Sequence, residues 1–203
     1  MIYYISRYIL WVFFKIFFRY KAVYTKRIPK KGSFIIASNH LSFLDPAAVG
    51  LITKRGVSFL ARASLFNNGL FAWWAKRVGV IPISRGRLDL GAIRGSLKSL
   101  GKGRIVALFP EGTRSKDGSI QDPKSGVGFL AVKAGVPVVP ILITGSDKAL
   151  PMYGMFIRLK PIEVRVAEPV LPEGFLQKNG EYNYQALSKE VMKRIRGLHI
   201  GED

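Results

Sequence analysis

The stretch SFIIASNHLSFLDPAAVGLIT (Ser33–Thr53) passes from an apolar run, through a polar loop, into a helix-forming segment. Ser33–Ser38 reads as a strand covered on both faces, because its apolar residues are continuous rather than alternating. Asp45-Pro46 marks a helix start over Pro46–Thr53, with a carboxylate at the N-cap and proline at the first helical position. The same order of elements recurs outward from this segment. Val57–Ala61, Val80–Ser84, Arg104–Pro110, Val136–Ile143 and Ile162–Val170 read as strands. Gly69–Val78, Leu88–Leu100, Gly126–Ala134 and Tyr182–Arg196 read as helices. Such alternation predicts an α/β fold with a mostly parallel central sheet flanked by helices. Lys21–Lys31 reads as a basic connector closed by Pro29 and Gly32. With no repeat, low-complexity tract or long linker, residues 21–203 are expected to form a single α/β domain behind an N-terminal helix spanning 1–20.

The chain of 203 residues is long enough to bury a sizeable core. It has no cysteine, which excludes disulfides, thiolate metal sites and a cysteine nucleophile. Against 13 Asp and Glu stand 32 Lys and Arg, a net charge of +19. That surplus calls for a polyanionic partner, whether nucleic acid, an anionic membrane surface or a phosphorylated substrate. The first twenty residues, MIYYISRYILWVFFKIFFRY, narrow the choice. Arg7 and Lys15 interrupt the apolar run and no small-residue cleavage site follows, which argues against a secretory signal. For a membrane span, ten Leu, Ile, Val and Phe residues contribute about −3 to −6 kcal/mol, and two central cations cost about +5 to +7 kcal/mol. Spanning therefore only breaks even. Bulky apolar residues interleaved with Trp, Tyr and cations suit a helix lying in the interface of an anionic bilayer. A helix that merely caps a soluble core is the alternative.

Three polar loops fall at strand ends, where open α/β sheets gather functional residues. They are Ser38–Asp45, Ser84–Arg87 and Phe109–Ser115. His199 lies near the C-terminus, so His40 is the candidate base for neutral pH. A carboxylate from Asp45, five residues on, could fix its tautomer and stabilise the imidazolium. With no nucleophile elbow and no cysteine, the economical chemistry is direct: His40 deprotonates a substrate hydroxyl that itself attacks an activated acyl group. Spacing alone favours the plainer alternative, in which Asp45 caps a helix and His40 is a satisfied loop residue. Arg85, Arg87 and Arg114 supply forks that match phosphate oxygens, and Gly112 and Thr113 suit close approach of a ligand. Glu111, in a basic neighbourhood, could orient an arginine or accept from a ligand hydroxyl. The plain alternative for this loop is a solvated basic segment with a local ion pair.

Taken together, four blocks resemble the glycerolipid acyltransferase family that includes 1-acylglycerol-3-phosphate acyltransferases. They are Asn39-His40-Leu41-Ser42-Phe43-Leu44-Asp45, the run Gly79–Arg85, Phe109-Pro110-Glu111-Gly112-Thr113-Arg114-Ser115, and Val136–Ile141 with its two prolines. The resemblance covers the middle of the chain, in family order. It implies that His40 is the general base with Asp45 its partner, and that Arg85, Glu111, Gly112, Thr113 and Arg114 form the acceptor's glycerol-phosphate site. Arg62, in LARASLF, sits where related enzymes often carry a basic residue and is a further contributor. It implies a lysophospholipid acceptor, an acyl-CoA or acyl-acyl carrier protein donor, phosphatidate as product, and no cofactor or metal. No nucleic acid is expected, and a peripheral or monotopic enzyme on the cytoplasmic face of a membrane is the expected setting. Phe71, Trp73 and Trp74 either add membrane contact, wall an acyl groove, or belong to the core. Two rival readings remain at this stage: an acyltransferase for glycerol 3-phosphate or another lysophospholipid, and a non-catalytic basic protein.

Overall fold

A computed structural model describes residues 2–84, 89–154 and 156–199. Helix α1 (Ile2–Phe18) leads into strand β1 (Lys21–Val23), then β2 (Phe34–Ser38), α2 (Asp45–Gly50), β3 (Val57–Arg62), α3 (Gly69–Val78) and β4 (Ile81–Ile83). The second half holds α4 (Leu90–Gly101), β5 (Ile105–Leu108), α5 (Gly126–Ala134), β6 (Val138–Thr144), the short α6 (Ser146–Ala149), β7 (Glu163–Val166) and α7 (Tyr184–Gly197). The strands form one sheet in the order β1-β7-β6-β2-β5-β3-β4. All neighbours run parallel except β6 and β7, which pair antiparallel with Ile143 opposite Val164.

The mixed α/β sheet matches the expectation, with two additions. Lys21–Val23, expected to be part of a connector, is an edge strand paired with Glu163–Arg165. Three residues, one of them lysine, carry too little apolar signal to mark a strand; pairing with β7 and the Phe18–Ile162 junction create it. The Ile162 N–H donates to the Phe18 carbonyl and the Lys21 N–H donates to the Ile162 carbonyl, at 2.9 and 3.1 Å. The stretch Ile162–Val170 also shortens to β7, which lies between β1 and β6 and runs antiparallel to β6. Helix starts follow local chemistry: Asn68, Asp89 and Asn183 each accept a backbone N–H three residues on. Leu88, the expected first residue of α4, lies outside the described residues.

Every residue of β2 is buried. Phe34 and Ile36 face a cluster shared with Phe14, Phe18, Tyr20, Ala48 and Ile141. Ile35 and Ala37 face a second cluster with Leu130, Leu142, Leu187 and Val191. Layers on both faces account for the unbroken apolar run at the centre of the sheet.

Helix α1 lies against the first of these layers. Arg7 donates to the carbonyls of Thr53 and Leu51 at 2.9 and 3.2 Å, satisfying acceptors just beyond the end of α2. Trp74 Nε1 of α3 donates to Ser6 Oγ at 3.1 Å. The outward face of α1 leaves Tyr4, Ile5, Tyr8, Ile9, Ile16 and Phe17 exposed. On and before α3, Leu65, Leu70 and Trp73 are exposed, whereas Phe71 and Trp74 are half-buried. Among the described residues no helix is long and apolar enough to cross a membrane.

Candidate active site

Strands β2, β5, β3 and β4 are mutually parallel, so their carboxyl ends lie along one edge of the sheet. The loops after β2 and β5, from neighbouring strands, meet there. Asn39 is buried directly after Ser38 and pairs through its amide with the β6 backbone. Its Nδ2 donates to the Ile143 carbonyl at 2.9 Å, and its Oδ1 accepts the Ile143 N–H at 2.8 Å. The side chain thereby continues the β2–β6 ladder after the main chain has turned away, and presents His40 at the sheet edge.

His40 Nδ1 stands 2.9 Å from Asp45 Oδ2. An ionised carboxylate only accepts, so Nδ1 carries the proton and Nε2 presents its lone pair. Among the described residues Nε2 makes no hydrogen bond, and the His40 side chain is 18% exposed. The same Oδ2 accepts the N–H of Leu41 at 2.6 Å and of Ser42 at 2.7 Å. Asp45 is fully buried. Its composition predicts a helix N-cap, and the structure corrects this. Asp45 is the first residue of α2, its carboxylate turns back onto the loop that precedes the helix, and Leu44 occupies the cap position without a side-chain bond. Pro46 still opens the helix as the sequence indicates.

The ring of His40 stacks on Phe109, with centroids 3.9 Å apart and planes within 13°. The backbone is fixed as well: His40 N–H donates to Glu111 Oε1 at 3.0 Å, and the His40 carbonyl accepts from Ser115 N–H at 2.8 Å. The second oxygen of Glu111 accepts the Gln121 N–H at 3.2 Å. Glu111 thus clasps two loops together with its carboxylate. Its burial raises the carboxyl pKa, opposed by the two backbone amides. Gly112 sits at φ +73°, with the Lys124 side chain so close that a Cβ would lie 3.1 Å from Nζ. The Arg114 guanidinium lies 3.7 Å from the centre of the exposed Phe43 ring.

His40, Asp45, Glu111 and Arg114 therefore converge, with Gly112 and Thr113 exposed beside them. Arg62 is exposed at the end of β3, on the same edge but two strands from β2. Arg85 lies outside the described residues. Phe109 and Asn39, quoted within their blocks, were given no role by sequence reasoning; their contacts to the His40 ring and to Ile143 are made only by the fold. The geometry offers a half-open imidazole lone pair, a buried anion behind it and an arginine held on an aromatic ring.

A profile for the family described as Acyltransferase matches residues 20–144, more than half of the chain and all four sequence blocks. The chain belongs to this family. This acyltransferase is 36% identical over 119 residues to a chloroplastic 1-acyl-sn-glycerol-3-phosphate acyltransferase of Brassica napus, covering 58% of this chain and 34% of that one. The chain thus spans about a third of that relative's length. A 1-acyl-sn-glycerol-3-phosphate acyltransferase of Bacillus subtilis is 25% identical over 179 residues, with 87% and 86% covered. The crystal structure of the 1-acyl-sn-glycerophosphate acyltransferase of Thermotoga maritima superposes with a TM-score of 0.76 at 27% identity, covering 89% of this chain and 71% of that one.

Proposed function

We propose that this acyltransferase moves a fatty acyl group from a thioester to the free hydroxyl of 1-acylglycerol 3-phosphate, giving phosphatidate. The observation that carries the reading is the His40–Asp45 pair with Nε2 left open. The names of the relatives from Brassica napus, Bacillus subtilis and Thermotoga maritima support the same acceptor.

His40 Nε2 removes the acceptor's hydroxyl proton as the oxygen attacks the thioester carbonyl. The imidazolium that results is stabilised by Asp45, which holds the ring without taking up the proton. Collapse of the tetrahedral intermediate breaks the carbon–sulfur bond, and the imidazolium returns its proton to the departing thiolate. Stacking on Phe109 and the Glu111 clasp hold the imidazole in place. Arg114, joined by Arg85 and Arg62, binds the acceptor's phosphate, and Gly112 and Thr113 let the glycerol backbone approach. The thiol of the donor is coenzyme A or acyl carrier protein, and no cofactor or metal enters the reaction. Helix α1, with its exposed apolar face and cations, seats the enzyme on the cytoplasmic surface of an anionic bilayer. Residues 1–20 supply that seat and 21–203 the catalytic domain.

The test is acyl transfer by purified protein with both donor types across 1-acylglycerol 3-phosphate, glycerol 3-phosphate and other lysophospholipids. Thiol release dependent on 1-acylglycerol 3-phosphate is expected. Release that follows another acceptor, or none at all, overturns the assignment.

A further inference from the structure

Helix α1 is not the molecule's sole exposed apolar feature. The segment between α6 and β7 carries Tyr153, Phe156, Ile157 and Leu159, all exposed, with Tyr153 at 77% and Phe156 at 78%. Four large apolar side chains within seven residues, each at least half exposed, exceed the scattered single exposures normal on a soluble surface. Arg158 and Lys160 alternate with them and are exposed too. No acidic residue occurs between Leu150 and Ile162, nor anywhere before Asp45.

The segment is tied at both ends to surfaces already described. At its start the Leu150 carbonyl accepts Ser42 Oγ at 2.8 Å, next to Phe43, which is exposed and lies under Arg114. Within it, Arg158 N–H returns to the Ala149 carbonyl at 2.7 Å and closes the loop onto α6. At its end Ile162 bonds the Phe18 carbonyl, at the end of α1 where Ile16 and Phe17 are exposed. These bonds tether the loop at one end beside Phe43 and at the other beside the end of α1, where Ile16, Phe17, Lys15 and Arg19 are exposed.

We propose that Tyr153, Phe156, Ile157 and Leu159 form a second bilayer-inserting element, which enters an anionic phospholipid surface beside α1. The chemistry is that of an interfacial anchor: apolar side chains reach the acyl boundary while Arg158 and Lys160 meet the headgroup phosphates. A protein partner fits less well, because residues 151–161 carry two cations and no carboxylate to pair across an interface, whereas a bilayer supplies phosphate in every orientation. The inserted loop and the catalytic loop share the Ser42–Leu150 bond, so the bilayer surface is brought to the side of the site that holds Phe43 and Arg114. This inference extends the proposed seat of α1, and its readout is insertion rather than turnover.

The chain has no cysteine, so one can be placed at will. Phe156→Cys and, separately, Ile9→Cys carry an environment-sensitive fluorophore, and each is mixed with vesicles containing phosphatidylglycerol and nitroxide-labelled lipid. Both probes are expected to shift to the blue and to be quenched by the nitroxide. In parallel, the triple change of Phe156, Ile157 and Leu159 to Ala should weaken vesicle partition by at least about tenfold, while the circular dichroism spectrum is retained. A Phe156 probe that stays in water, whether or not the Ile9 probe inserts, overturns the proposal. So does a blue shift that needs no lipid and grows with protein concentration, which would make a second copy of the chain the occupant. Insertion at Phe156 in a protein that fails to acylate 1-acylglycerol 3-phosphate would sink the functional assignment and leave the inserting loop standing.

Discussion

The substitution Asp45→Asn separates the two duties of one carboxylate oxygen. Asp45 Oδ2 takes His40 Nδ1 at 2.9 Å and the N–H groups of Leu41 and Ser42 at 2.6 and 2.7 Å. The carbonyl oxygen of the substituted asparagine would keep all three bonds, and with them the ring tautomer. Its NH₂ then falls where Oδ1 lies, a buried position with no partner among the described residues. Three charge-assisted bonds become neutral and one buried NH₂ goes unsatisfied, so the native state loses about 2–4 kcal/mol. The catalytic loss is electrostatic. Opposite charges about 4 Å apart attract by about 4 kcal/mol at an effective dielectric near 20. With most of the proton transferred at the transition state, about 3 kcal/mol of this disappears, a fall of at least ~10² in rate. Initial rates of thiol release under saturating substrates measure it, at a temperature where circular dichroism shows the variant folded. A folded Asp45→Asn protein with a rate within about threefold of the parent would refute the reasoning, since no comparable charge would then be at work.

Arg114→Ala should raise the KM for a phosphate-bearing acceptor at least about tenfold while leaving the KM for the thioester donor near its parent value. Collapse of donor binding instead would place the arginine on the other substrate. Asn39→Ala leaves the Ile143 N–H and carbonyl without their partner and should cost about 3 kcal/mol, read as a fall in melting temperature. Glu111 has a pH signature. Its folded pKa is raised by burial, so the native state binds more protons than the unfolded one, and its contribution to stability is full below the unfolded value and lost as pH rises through the folded value. Glu111→Gln should remove that downward slope on the alkaline side of the ordinary carboxylate range; an unchanged slope in a series of denaturant melts would exclude Glu111 as its source.

Much of the framework was legible because single local signals decide it. The continuous apolar run at Phe34–Ser38 required two covering layers, and Pro46 marked the opening turn of α2. What was hidden depends on tertiary contact. Nothing in Lys21–Val23 distinguishes an edge strand from a connector until Glu163–Arg165 lies beside it. Asp45-Pro46 has the composition of a capped helix start, yet the direction of a carboxylate is set by the loop it meets, and here that loop offers two N–H groups and an imidazole. Arg7 reads from sequence as a cost to membrane insertion, whereas the fold spends its guanidinium on two carbonyls beyond α2. Within FPEGTRS, Glu111 resembles a ligand contact, but both of its oxygens are occupied by main-chain amides. Sequence nominated Asp45 and Glu111; packing decided which groups their carboxylates meet.

The attachment of α1 has a consequence for orientation. Arg7 is fastened to the carbonyls of Leu51 and Thr53, Trp74 to Ser6, and Phe14 and Phe18 are core residues. A helix held in this way has no swivel. An enzyme on a flexible stalk samples many tilts above a bilayer and loses most encounters to wrong angles. Seated through α1, this domain would keep one attitude, with its depth and pitch set by the helix's outer residues. Its search for substrate would reduce to gliding in the plane and turning about the membrane normal. Changes on the outer face of α1 would then alter the height of His40 over the lipid surface, and with it the acceptor hydroxyl depth that the imidazole can reach.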